Sequence, residues 1–246
     1  MIKGSFKNRI GEKHITKEGC EVEIINCTHN SDCTIKFLDT EYIKYNVDFA
    51  DIMRGEVKNP YHPSVFNVGF IGLGVYKTKE DYKMTPYYKK WTGILKRVYG
   101  NTKHYEGVTI CKEWYNFQVF AEWFYENYNP ETMKEWQLDK DILIKGNKVY
   151  SPKTCCFVPQ EINNLFTKNN KNRGDYPIGV TLTKNNIIMS NLGNVVLYRG
   201  NDILKAFQAY KVAKECRIKK FANKWKDQIS SKVYNALINY KVEITD

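Results

Sequence analysis

The hydrophobic period of this chain switches in blocks, and that pattern limits the folds open to it. From Gly19, "GCEVEIINC" alternates apolar and polar residues, "CTIKFLD" does so again beyond the turn-like "THNSD", and "EYIKYNV" follows a second turn at Asp39-Thr40. A period of two belongs to a half-buried strand, so three strands in a meander are expected. After Pro86 the spacing lengthens. Trp91, Ile94, Leu95 and Val98 in "TPYYKKWTGILKRVYG", then Phe117, Phe120, Ala121, Phe124 and Tyr128 in "EWYNFQVFAEWFYENY", recur as on one helix face. Strand-like text returns in "IGVTLTKNNIIMSN" and "GNVVLYRG". It gives way to a long helix whose apolar face includes Ile203, Phe207, Tyr210 and Ala213, with Asp202 placed to cap it, and to a last helix from about Ser231 to Tyr240. Strands and helices grouped this way predict an α+β protein, not a doubly wound α/β one. No repeat of 20–50 residues, GxGxxG or P-loop spacing is present, which sets aside solenoids, propellers and nucleotide-binding turns.

Glycine and proline divide these blocks into three expected modules. Residues 1–80 form a small β module, in which the Gly/Pro-punctuated "GEVKNPYHPSVFNVGFIGLG" suggests a barrel closing on itself. Residues 81–170 carry the aromatic helices, and residues 171–246 follow the polar run "TKNNKNRGDYP", which reads as a linker. The aromatic stripes are expected to be core, with base stacking by Trp91 or Trp114 as the alternative.

Charge points to the partner. The chain has 38 Lys+Arg against 27 Asp+Glu, a formal net charge of +11, and a surplus spread along its length suits a polyanion such as nucleic acid. A lysine-rich solvated surface is the competing explanation. The seven cysteines form no regular framework and read as free thiols in a reducing cytosol. The N-terminal text has no apolar signal core and no stretch is long enough for a membrane span, so the expected location is the cytoplasm of a bacterial or phage-infected cell, with no membrane partner. Zinc near His14, Cys20, Cys27, His29 and Cys33 is disfavoured, because the cysteines are not spaced two to four residues apart. His62, between Pro60 and Pro63, reads as structural because its neighbours supply neither a nucleophile nor a metal ligand.

The text from Trp136 to Phe166, with "LDKD", Asn147, "YSPKTCCF" and "QEINNLF", resembles the ββα-metal hairpin of the HNH endonucleases, especially the phage-borne homing type. With its helical lead-in the resemblance covers about residues 85–166. It implies catalytic residues at Asp139, Lys140 and Asn163, and one divalent metal, Mg or Mn, at Asp139, Asn163 and Asn164. In that family a histidine activates the attacking water while the metal stabilises the leaving charge. Lys140 stands where the histidine is expected. Lysine ordinarily keeps its proton at neutral pH, so at this position it suits a phosphate contact better than general-base work.

The text from Tyr176 to Glu215 resembles the APETALA-type (ethylene-response-factor-like) domain, on the strength of the "IGV" opening, Ile187-Ile188-Met189 and the "LYRGNDILKAFQAY" junction. That resemblance implies a three-stranded sheet in the DNA major groove backed by one helix, with Thr181, Thr183, Lys184, Asn186 and Arg199 facing the bases. Lys89, Lys90, Lys96, Arg97, Lys171 and Arg173 are the expected phosphate contacts. The N-terminal meander looks like a module found beside such domains in phage proteins. The implied function is double-stranded DNA binding by a phage homing-endonuclease relative with a degenerate nuclease centre. The alternatives are an active metal-dependent nicking enzyme, and a non-enzymatic regulator or anti-defence inhibitor that acts on a host protein or an RNA-protein complex.

Overall fold

The computed structural model describes residues 8–100, 105–167 and 175–246. Its contacts divide the chain into two compact units, residues 1–126 and residues 127–246. The architecture is mixed α+β, with several small sheets and six α-helices among the described residues. None of those helices is long and apolar enough to cross a membrane. Lys171 and Arg173, with most of the expected linker, lie outside the described residues.

In the first unit, β1 (Lys13–Ile15), β2 (Glu21–His29), β3 (Asp32–Phe37) and β4 (Ile43–Val47) form an antiparallel sheet in sequential order. Alternation along β2 and β3 turns Val22, Ile24, Cys33, Ile35 and Phe37 inward, where they pack with Ile52 of α1 (Phe49–Met53) and with Val57. The expected closed barrel is not formed: β1 and β4 are the sheet's edges. The expectation of seven free thiols is also corrected. Cys27 and Cys33 are direct cross-strand partners and are joined in a disulfide.

A two-strand hairpin, β5 (Lys79–Glu80) and β6 (Lys83–Met84), leads into α2 (Pro86–Tyr99). Pro86 opens that helix because its missing N–H costs nothing in the first turn, and the Thr85 hydroxyl accepts the Tyr88 N–H. After β7 (Thr109–Ile110), the single aromatic helix expected from Glu113 breaks in two, a 3-10 turn at Lys112–Tyr115 and α3 (Phe117–Asn127). The break is at Asn116, which is extended and whose side-chain oxygen accepts the Gln118 N–H. Trp91, Trp114, Phe117 and Phe120 are fully buried, and the Trp91 indole donates to the Trp114 carbonyl at 2.7 Å. Burial of each such side chain contributes about 1.5–3 kcal/mol. Trp91 and Trp114 are therefore core and have no face left for a base.

The second unit contains β8 (Gln137–Asp139), β9 (Val149–Tyr150), β10 (Cys156–Val158) and α4 (Gln160–Leu165). They are followed by β11 (Val180–Leu182), β12 (Ile188–Leu192) and β13 (Val195–Gly200), an antiparallel three-stranded sheet. The 22-residue α5 (Ile203–Lys224) packs along that sheet and α6 (Ser231–Ile238) packs on α5. The Asp202 carboxylate caps α5 by accepting the Lys205 N–H at 3.0 Å. Ala206, Phe207 and Tyr210 cover Val180 and Ile188. Ile203, expected on this face, is 39 % exposed because it lies in the first turn.

Candidate functional site

β8 and β10 pair antiparallel, with Asp139 opposite Cys156, and α4 follows at once and packs against β8. The loop between the strands is built by side-chain-to-backbone bonds. The Asp139 Oδ1 accepts the N–H groups of Asp141 and Ile142, each at 2.8 Å, which turns the chain as it leaves β8. At the far side Asn147 spans the loop, donating from Nδ2 to the carbonyls of Lys140 (2.6 Å) and Val149 (2.8 Å) while its Oδ1 accepts the Val149 N–H. Burial, then the neighbouring Asp141 carboxylate, pushes the Asp139 carboxyl up to about 6, against the pull of the two N–H donors.

Lys140 does not extend into solvent. Its side chain is 14 % exposed, and its ammonium donates to Asp141 Oδ2 and to the Asn147 carbonyl, both at 3.2 Å. Of the helix asparagines, Asn164 is exposed and its side-chain oxygen accepts from Gln160 at 2.6 Å. Asn163 is half-buried, and its carbonyl accepts the Phe166 N–H at the end of α4. Among the described residues no group of three His, Cys, Asp or Glu donors gathers at Asp139.

In the three-stranded sheet Thr181, Met189 and Arg199 stand abreast on one face, while their neighbours Val180, Ser190 and Tyr198 face α5. Arg199 is exposed, as is Lys184 at the tip of the β11–β12 turn. Thr183 and Asn186 build that turn. The Thr183 hydroxyl accepts the Ile187 N–H, and Asn186 has a left-handed backbone with φ of 56°. In the first unit Lys89 and Lys96 lie on the exposed side of α2, whereas Lys90 is part-buried and its ammonium is pushed below the usual lysine range, first by that burial and then by Arg97. Arg97 leans over the Tyr105 ring at 5.7 Å.

One cluster in the first unit escaped the sequence reading. Cys20, Asp39 and His62 place one donor atom each within 4.8 Å of the others, and such a group could hold a metal ion. Cys20 precedes β2, Asp39 lies in the β3–β4 turn, and His62 sits in the Asn59–Ser64 turn. Cys20 Sγ is 3.3 Å from His62 Nδ1, and Asp39 Oδ2 is 3.8 Å from that same nitrogen. Asn59 steadies the carboxylate, donating from Nδ2 to Asp39 Oδ1 at 3.1 Å. His62 and Cys20 were each visible in the sequence, but 42 residues of separation left no spacing to read. Compared with known proteins, the chain matches no family model, no curated protein and no solved structure.

Proposed function

We propose that this chain binds double-stranded DNA through its second unit, as a relative of the HNH homing endonucleases whose hairpin grips the backbone without cutting it. The observation that carries the reading is the internal use of Lys140: its ammonium is held by Asp141 and the Asn147 carbonyl, at the position where the family needs a free base. A cation supplied by the chain itself offsets the acidic loop, so the hairpin can approach a phosphate with or without a divalent metal. The exposed Arg199 on the sheet and Lys184 at its β11–β12 turn add contacts of the kind that position a protein on DNA, and the net charge of +11 supplies non-specific attraction.

One observation favours a second reading, an active metal-dependent nickase. An Asp139 carboxyl that titrates near 6 holds little proton at neutral pH and could accept one from water. Fluorescence anisotropy with a labelled duplex, together with a supercoiled-plasmid nicking assay in magnesium or manganese, decides between the two. DNA binding without cutting is expected, with affinity falling roughly a thousandfold between about 50 and 200 mM salt if some six phosphates are neutralised. Lys140→His, which returns an imidazole able to take a proton at neutral pH, is the variant expected to gain nicking. Wild-type cleavage abolished by Asp139→Asn would establish the nickase instead, and no binding at low salt would end both readings.

A further inference from the structure

We infer that Cys20, Asp39 and His62 form a site for a borderline-soft divalent metal of the zinc class, built from residues other than those proposed to contact DNA. Three observations support it.

The first is convergence on one nitrogen. In a Cys-His-Asp catalytic relay the thiol and the carboxylate use opposite ring nitrogens, so that the proton has somewhere to go. Here Cys20 Sγ and Asp39 Oδ2 both face His62 Nδ1, at 3.3 Å and 3.8 Å. That arrangement cannot pass a proton through the ring, but it is how three ligands stand around a common ion. Around tetrahedral zinc, ligand bonds of about 2.0–2.3 Å place neighbouring donor atoms roughly 3.4–3.6 Å apart, close to the separations found here.

The second is the chemistry of the set. A thiol, an imidazole and a carboxylate together select zinc, or cobalt in its place, over magnesium or calcium, which take oxygen donors alone. With three protein ligands the fourth position stays open. The side chains of Asp39 and His62 are 38 % and 27 % exposed, so solvent reaches the ligands.

The third is support behind the ligands. Asn59 donates to Asp39 Oδ1 and also to the Thr40 hydroxyl, while its own Oδ1 accepts the Tyr61 N–H and its carbonyl accepts the His62 N–H. One residue thus orients the carboxylate and sets the turn that presents the histidine. On the other side the Thr16 hydroxyl accepts the Cys20 N–H at 3.0 Å, fixing the thiol at the mouth of β2. Outer-shell residues of this sort align metal ligands in known sites. An open cleft of about 550 Å³, lined in part by Tyr42, Lys44 and Lys58, shares Asn59 with the site.

The experiment is a titration of the reduced, metal-stripped full chain with cobalt(II), then displacement by zinc. The expected result is one cobalt per chain, with tetrahedral visible bands and a near-ultraviolet thiolate-to-metal band that zinc abolishes. Cys20→Ser should lose the near-ultraviolet band, and Cys216→Ser should keep it. Asp39→Asn and His62→Gln alter part-exposed positions and serve even if the buried Cys20 does not tolerate change; each should weaken zinc binding at least tenfold. Asn59→Ala should weaken it by 10–100-fold without changing the spectrum, since it touches a ligand and not the metal. A thiolate band that survives Cys20→Ser, affinity unmoved by Asp39→Asn and His62→Gln, or no cobalt bound by the wild type would overturn the inference. The DNA-binding reading rests on other residues and stands or falls by its own assay.

Discussion

Two polar constellations in this molecule solve the problem of crowded donor atoms differently. In the second unit, Asp139, Lys140, Asp141 and Asn147 come from nine consecutive residues, and the loop neutralises itself by bending Lys140 back onto Asp141 and the Asn147 carbonyl. In the first, Cys20, Asp39 and His62 come from three separate turns, brought together by the meander and by the Asn59 turn that follows it. A contiguous site can be complete before the rest of its domain forms. A dispersed one exists only once the sheet has closed its hairpins, and it suits a metal whose binding energy then adds to folding.

The comparison can be broken first at the sheet of the second unit. Gly179 has φ of +77°, and the Tyr210 ring occupies the space a β-carbon would need. Gly179→Ala combines a left-handed backbone with overpacking and should cost about 3 kcal/mol, read as a lower urea midpoint. DNA affinity should fall with it while cobalt binding in the first unit persists. Loss of both would show that the two sites are not independent.

A smaller effect sharpens the contrast at the loop. The folded Asp139 titrates near 6, above its unfolded value near 4, so the native chain binds the extra proton between those values. The contribution of this group to stability is therefore greatest below about pH 4 and is lost as pH rises through 6. Asp139→Asn keeps the acceptor for the Asp141 and Ile142 N–H groups and removes the charge. It should flatten that slope and raise stability at pH 7 by about 2 kcal/mol, allowing for the solvent that reaches the group. Denaturation curves from pH 4 to 7 check this, and an unchanged slope would place the carboxyl's cost elsewhere.

The smallest expected effects are at the surface. Arg199→Ala and Lys184→Ala should each weaken duplex binding modestly and reduce the salt slope by about 1 if the side chain meets a phosphate. If Arg199 reads a base edge instead, discrimination between sequences should narrow, as binding to different duplexes would reveal.

Local features were the ones legible in the sequence. Alternation marked β2, β3 and β4, and Pro86 and Asp202 marked the helix starts, because each acts within the first turn of its own helix. The Asp139–Asn147 loop stood out through its resemblance to the HNH hairpin, and its internal bonding by Lys140 and Asn147 did not. What stayed hidden depended on distant partners. The break at Asn116 goes with a bridge from Phe70, which accepts the Phe117 N–H and donates to Tyr115. The Cys27–Cys33 bond depends on cross-strand register, which spacing alone does not set. The histidine at position 62 looked inert because its carboxylate and thiol neighbours arrive from other turns.

The far end of α5 adds a geometric constraint. Glu161 of α4 accepts from Lys224 (2.5 Å) and from the Trp225 indole (3.1 Å), Trp136 meets Trp225 edge-on at 6.1 Å, and Lys214 donates to the Leu165 carbonyl at 2.5 Å. The same helix carries the three-stranded sheet near its start. Hairpin and sheet are thus mounted on one shaft, and α5 sets the distance between them. On a duplex they would meet the helix at a fixed phase, so a few base pairs inserted between their footprints would rotate one contact away from the protein, whereas a full turn of about 10.5 base pairs would restore its facing but not its reach.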